Sequence, residues 1–109
     1  MPDVMPERRM ACRCPMVLAA DVVELSRGAR LSAQTSDISR TGCYIDTLNP
    51  IPQGSQVRLR ITHHLEIFEA IVEVVYVSYG LGMGVTFKEV APQEREKLER
   101  WLEDRNQEF

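Results

Sequence analysis

Residues 57–77 run Val-Arg-Leu-Arg-Ile-Thr-His-His-Leu-Glu-Ile-Phe-Glu-Ala-Ile-Val-Glu-Val-Val-Tyr-Val, and this stretch decides the fold class. Val57, Leu59 and Ile61 alternate with Arg58, Arg60 and Thr62, the period of two that turns every second side chain to one face of a strand. Residues 67–77 form a longer run rich in β-branched side chains, and His63-His64 reads as the exposed connection between the two strands.

The same period extends outward on both sides. Residues 16–25 are apolar and β-branched and end at the turn signal Ser26-Arg27-Gly28, after which Leu31, Ala33 and Thr35 alternate with polar neighbours. This predicts a hairpin. Residues 43–47 give a short third strand, followed by a proline- and glycine-rich loop over 49–54. Tyr79-Gly80 turns into a last strand over 83–87. Six strands at short spacing predict a mainly β protein, a small closed or nearly closed antiparallel barrel over residues 16–88. The period then changes. Pro92 suits the first position of a helix, and Leu98, Trp101 and Leu102 recur at i, i+3 and i+4 opposite Glu94, Glu96, Glu99 and Glu103. The expectation is an amphipathic C-terminal helix over 91–105, of three to four turns, packed on the barrel, with a docking face for a partner as the alternative use of its stripe.

Composition narrows the function classes. The 109 residues fit a single domain, 1–109, and 44% hydrophobic with 27% charged residues is the balance of a chain that folds by itself. No apolar run approaches the ~20 residues that span a bilayer, so no membrane insertion is expected. The first residues lack the apolar core of a secretory signal, which points to a cytoplasmic protein. Three cysteines cannot all pair within one chain. A net charge of −3 argues against a duplex-DNA binder, and 6% aromatic content against a binder of single strands, so neither DNA nor RNA is an expected partner. Any anion site must be local. Nucleophile elbow, P-loop and dinucleotide fingerprint are all missing from the sequence, and no enzymatic activity is expected. Gly80, Gly82 and Gly84 fall in a strand context and read as room for curvature or for close approach of a ligand. Cys12-Arg13-Cys14 with Cys43 and the two histidines does not have zinc spacing, because one intervening residue in an extended segment sends the two thiols apart. No metal is expected, although oxidation of thiols flanking Arg13 is a route by which the arm could lose affinity for a ligand.

Two segments carry chemistry. The first is Arg8-Arg9-Met10-Ala11-Cys12-Arg13, in a proline-punctuated segment, 1–15, expected to be a flexible arm. A guanidinium is a permanently charged fork that matches phosphate and equally the O6 and N7 acceptors of guanine. The second is Asp37-Ile38-Ser39-Arg40-Thr41-Gly42, between the second and third strands. These are turn-forming residues, yet they also suit a ligand. A carboxylate accepts from the N1–H and 2-amino donors of guanine, a serine hydroxyl either donates to phosphate or fixes the turn, and glycine permits close approach.

Arg-x-x-x-Arg at Arg9 and Arg13, a hairpin of about two dozen residues, Asp-x-Ser-x-x-Gly at Asp37, Ser39 and Gly42, and a barrel closed by a helix together resemble the PilZ domain family over nearly the whole chain. Gly82-Met-Gly-Val-Thr-Phe87 is similar to that family's glycine-rich final strand. The resemblance implies a bacterial, non-catalytic receptor for cyclic di-GMP that signals through a partner protein. It implies that Arg9 and Arg13 hold phosphate and guanine, that Asp37 and Ser39 contact guanine and phosphate from the barrel, and that Gly42 shapes the turn. Arg8, directly before the arginine motif, implies uptake of the nucleotide as an intercalated dimer, two molecules per chain. The alternative is a PilZ-fold interaction adaptor that does not use the nucleotide.

Overall fold

In the computed structural model, which describes residues 13–107, seven strands precede one helix: β1 (Cys14–Pro15), β2 (Ala19–Glu24), β3 (Arg30–Ile38), β4 (Gly42–Asp46), β5 (Gln56–His63), β6 (Glu66–Ser78), β7 (Gly82–Glu89) and α1 (Pro92–Gln107). All pairings are antiparallel, in the order β1-β3-β2-β5-β6-β7-β4, and β4 returns to pair with β3. That last pairing closes six strands into a barrel and leaves β1 as a short addition on β3. The expected six-stranded barrel with a C-terminal helix is therefore the observed architecture, with one extra strand.

The period-two pattern is what fills the barrel. Val57, Leu59 and Ile61 of β5, Phe68, Ala70, Val72 and Val74 of β6, and Met83 and Val85 of β7 all point inward and are buried. Arg58, Arg60 and Thr62 face solvent. α1 covers one barrel end by burying Leu98, Trp101 and Leu102, each contributing about 1.5–3 kcal/mol of apolar burial. It begins at Pro92, as expected, and at 16 residues it is longer than the sequence suggested. The Trp101 ring packs near Phe68, which in turn meets Phe87. Its indole N–H donates to Glu66 Oε1 at 2.7 Å, while Arg100 donates to Glu66 Oε2 at 2.5 Å. The helix is further tied to β6 by the Glu69 N–H donating to Glu94 at 2.9 Å and Lys97 Nζ donating to the Ile67 carbonyl at 2.5 Å.

Several local expectations need correcting. The strand expected over 16–25 is regular only over 19–24, with an irregular link at 16–18 before it, and the arm expected to run to residue 15 already joins the sheet at Cys14. His63 is not in the connection. It ends β5, half-buried, with its ring edge-on to Trp101 at 5.1 Å, and only His64 and Leu65 form the turn. Gly82 and Gly84 are not open ground for a ligand, because a Cβ on either would overlap a ring, that of Tyr44 at Gly82 and that of Tyr76 at Gly84. Tyr44 of β4 and Tyr76 of β6 are both register partners of Gly84, and their rings, with the Ile45 carbonyl at Gly82, fill the space the glycines leave, a cross-strand arrangement that pins register.

Two consequences are measurable. At Gly42 an added Cβ would collide with the Val85 carbonyl, which is backbone and cannot swing away, whereas at Gly84 it would meet the Tyr76 ring, 42% exposed and free to turn outward. Gly42→Ala is expected to cost about 1–3 kcal/mol in urea unfolding and Gly84→Ala distinctly less. Glu66 is held below the ordinary carboxylate value of 4.5, first by the Trp101 hydrogen bond and then by that of Arg100. A carboxyl lowered in the folded state contributes stability above its unfolded value, and that contribution is lost as pH falls through the folded value. Glu66→Gln should therefore flatten the stability loss seen on acidification below about 4.5, read as thermal midpoint against pH.

Candidate functional site

Strand β3 changes phase just before the Asp-x-Ser-x-x-Gly segment. Its alternation turns Leu31, Ala33 and Thr35 inward, and uninterrupted it would turn Asp37 inward too, into the core. Instead Thr35 pairs with Ile45 and Asp37 with Tyr44, leaving Ser36 as an extra residue opposite β4. This is a β-bulge, which re-aims the side chains that follow it. Ile38 returns to the core, fully buried, and Asp37 faces outward, partly exposed.

On the other edge of β3 the bulge is matched by the irregular link at 16–18, three residues lying opposite two. Thr35 holds it there. Its hydroxyl, wholly buried, donates to the Met16 carbonyl at 2.7 Å and accepts from the Leu18 N–H at 3.0 Å. The Thr35 N–H donates to the Leu18 carbonyl at 2.9 Å, and the Met16 N–H to the Ser36 carbonyl at 3.2 Å. A buried hydroxyl satisfied as donor and acceptor fixes backbone in a way that an apolar residue of the same shape cannot. The chain entering β2 is thereby held against the bulge. In the sequence Thr35 reads only as one more inward residue of an alternating strand, and its companion β1 lies in what reads as the arm, so this clamp had no legible signal.

The clamp brings together two of the expected site residues. Pro15 pairs with Asp37 and Cys14 with Ile38, which leaves Arg13 just beyond the strand, where its NH1 donates to Asp37 Oδ1 at 2.8 Å across 24 positions of sequence. Both groups are substantially exposed, Arg13 at 48% and Asp37 at 28% of the side chain, so the pair stands on the open outer surface of the barrel. Arg8 and Arg9, the other expected arm residues, lie outside the described residues.

Ser39 and Gly42 sit beside this pair but look inward. Ser39 is 3% exposed. Its hydroxyl oxygen lies 3.1 Å from the Gly42 carbonyl, to which it donates, and accepts from the Thr41 and Gly42 N–H groups at 3.2 Å each. Of the two uses foreseen for this hydroxyl, fixing the turn is the one it has in this conformation. Gly42 opens β4 without a positive φ. Its glycine requirement comes from the backbone of β7 passing directly over it rather than from the turn conformation. The turn is also fastened to its surroundings. Thr41 O accepts from the Thr86 hydroxyl at 3.1 Å and the Phe87 N–H at 2.8 Å. Arg40 pairs with Glu99 of α1 at 3.2 Å, and Arg95 of α1 donates to the Arg40 carbonyl at 2.6 Å.

The thiols are structural. Cys14 and Cys43 are buried, facing the core on either side of Ile38. Burial foremost, and then the negative charge of Asp37, pushes the Cys43 thiol up to about 12, against a smaller opposing effect of Arg13. Cys14 is thus not an exposed thiol flanking Arg13, and Cys12 lies outside the described residues. Among the described residues no group of three or more histidine, cysteine, aspartate or glutamate side chains is placed to hold a metal ion. None of their helices is long and apolar enough to cross a membrane.

Thr35 and Asp37 are expected to separate stability from surface chemistry. Thr35→Val strands the Leu18 N–H and Met16 carbonyl and should cost about 1–3 kcal/mol in denaturant unfolding. Asp37→Asn breaks only an exposed ion pair and should cost less than about 1 kcal/mol.

Residues 7–104 match the family model of the PilZ domain. Among solved structures, the chain is similar to the PilZ domain of CeSA from a cellulose-synthesizing bacterium, with 16% identity, a TM-score of 0.67, and 82% of this chain and 92% of that one covered. It is similar to the Bacillus subtilis inhibitor of motility MotI, with 19% identity and a TM-score of 0.77 over 93% of this chain and 52% of that one. It is also similar to the PilZ domain of YcgR from Escherichia coli, solved with cyclic di-GMP, with 15% identity, a TM-score of 0.74 and 93% of each chain covered. At these identities the likeness is one of fold. A comparison with curated protein sequences gives no match.

Proposed function

Since the chain belongs to the PilZ domain family, we propose that it is a non-catalytic receptor for cyclic di-GMP, which it takes up between the arginines of the arm and the outer surface at Asp37. The observation that carries this reading is the meeting of Arg13 and Asp37 at 2.8 Å. A permanent cation suited to phosphate and a carboxylate suited to the N1–H and 2-amino donors of guanine stand side by side, the first just before β1 and the second just past the bulge of β3. One guanine nucleotide presents both complements at once.

The free protein keeps these groups neutralised against each other. An exposed pair of this kind contributes less than about 1 kcal/mol, so a ligand that offers Arg13 a phosphate and Asp37 two hydrogen-bond donors separates them at little cost. Arg9 would join Arg13 on phosphate and guanine, and Arg8 would add the charge that a second, intercalated nucleotide requires, giving two molecules per chain. Ser39 and Gly42 would hold the turn on which Asp37 is presented. The chain needs no catalytic group for this role. Its output would pass through a partner protein that reads the ordered arm, by coupling nucleotide affinity to two states of that segment.

Calorimetric titration of the purified protein with cyclic di-GMP tests the reading, with GTP as control. The expected result is a stoichiometry near two. Arg9→Ala, Arg13→Ala and Asp37→Ala should each weaken binding roughly 30- to 150-fold, the loss of about 2–3 kcal/mol that a charge-assisted hydrogen bond supplies. A stoichiometry of one refutes the role given to Arg8. Binding that survives in both arginine variants refutes the site, and no binding by the wild type favours an adaptor that does not use the nucleotide.

A further inference from the structure

The outer face of β2, β3 and β5 carries a groove of about 350 Å³ lined by three arginines. Arg30 of β3 and Arg58 of β5 are both register partners of Val23 in β2, one from each side. Two strand spacings, about 10 Å, separate their backbones. Arg60 follows on the same face of β5, about 6.8 Å along the strand from Arg58, and its register partners are Asp21 on one side and Glu69 on the other. Both of these carboxylates line the groove and both are engaged. Asp21 accepts from the Ser32 hydroxyl at 3.2 Å, and Glu69 pairs with Arg58 at 3.5 Å. Arg30 and Arg60 are exposed and make no side-chain hydrogen bond or ion pair among the described residues. On a chain of net charge −3, positive charge is thereby gathered at one place on a hydrogen-bonded sheet.

We propose that this groove receives an extended acidic segment of a partner protein, whose carboxylates at alternate positions meet Arg58 and Arg60 while Arg30 reaches it from across Val23. Spacing and charge both argue for that occupant. Alternate side chains of an extended chain recur at about 6.8 Å, the interval between Arg58 and Arg60, so glutamates two positions apart meet both guanidiniums together. Each guanidinium offers a planar fork that fits a carboxylate. A continuous polyanion, such as a nucleic-acid strand or an anionic lipid surface, would also press its charge on Asp21 and Glu69, and like charges in juxtaposition are penalised. A protein segment places its acids selectively and sets small or basic side chains over those two carboxylates, which is how a mixed charge pattern discriminates between partners. Arginine is, besides, one of the residue types that dominate binding at protein interfaces. Arg30 opens β3 and Asp37 stands seven residues further along it, roughly 23 Å away. The groove therefore stays open when the Arg13–Asp37 surface is occupied, and docking there does not require nucleotide.

Chemical-shift titration of the labelled, nucleotide-free protein is the test, at low ionic strength, where exposed charges are least screened. One probe is a hexapeptide in which glutamate alternates with serine, and a second has the same composition with its glutamates contiguous. Inorganic phosphate, a short oligothymidylate and phosphatidylglycerol vesicles are the other anions. The alternating peptide is expected to shift the Nε–H signals of Arg30, Arg58 and Arg60 and the amides of β2 and β5. It should bind about threefold or more tightly than the contiguous peptide, and Arg30→Gln and Arg60→Gln should each weaken it by about the same factor. Both residues are exposed, and an unchanged thermal midpoint would establish that each variant folds. Shifts confined to another surface, no shift with either peptide, equal binding of the two peptides, or equal response to phosphate, oligothymidylate or vesicles would overturn the proposal.

Discussion

The hydroxyl of Thr35 is the point on which the arrangement of the site turns. It is buried completely and bonded to Met16 and Leu18, so the segment that enters the barrel is fastened to β3 at the place where β3 carries its extra residue. Without the bulge at Ser36 the strand would keep its alternation, and Asp37 would be driven toward the core while Ile38 was driven out. A one-residue slip of that kind exchanges the two faces of everything downstream. With it, the same strand serves the core at Thr35 and Ile38 and the surface at Asp37. Arg13 arrives opposite Asp37 because β1 is paired in register with the last residues of β3.

The turn after the bulge is built to stay put. Ser39 uses its hydroxyl within the turn, Gly42 lets β7 pass at close quarters, and Arg40 and Arg95 join the turn to α1. Ordered surroundings matter for recognition, because a ligand that finds its contacts already placed does not lose binding energy to arranging them. Under the proposed function the labour divides between this platform, which presents Asp37, and the arginines that would bring positive charge to it. The burial of Cys14 and Cys43 belongs to the platform, since both flank Ile38 in the core beneath the motif.

Much of this was legible in the sequence, and the failures share a cause. The alternating residues of β5 and β6, the turn at Ser26-Arg27-Gly28, Pro92 at the helix start and the stripe of Leu98, Trp101 and Leu102 are local signals, and local signals are what a sequence displays. Type and spacing single out Arg13, Asp37, Ser39 and Gly42, of which the structure brings Arg13 and Asp37 into contact. What could not be read were tertiary choices. Nothing local distinguishes Thr35 from its inward neighbours, marks Ser36 as a bulge, or indicates that Cys14 and Pro15 add to the sheet. Gly42 reads as a glycine that tolerates positive φ or admits a ligand, whereas the backbone that comes close is that of a strand 43 positions later. His63 was placed in a connection because two histidines are polar, whereas Trp101, 38 positions away, draws it under the helix.

The central claim is that a guanine nucleotide is held where Arg13 meets Asp37. Its most direct test is a nuclear magnetic resonance titration of isotopically labelled protein with cyclic di-GMP, following backbone amides and the arginine side-chain N–H signals. The expected outcome is that the largest shifts fall on Arg13, Cys14, Asp37 and the turn from Ser39 to Gly42, with the groove of Arg30 and Arg60 unmoved by the nucleotide. Shifts centred on another face of the barrel, or none at saturating nucleotide, would contradict the account.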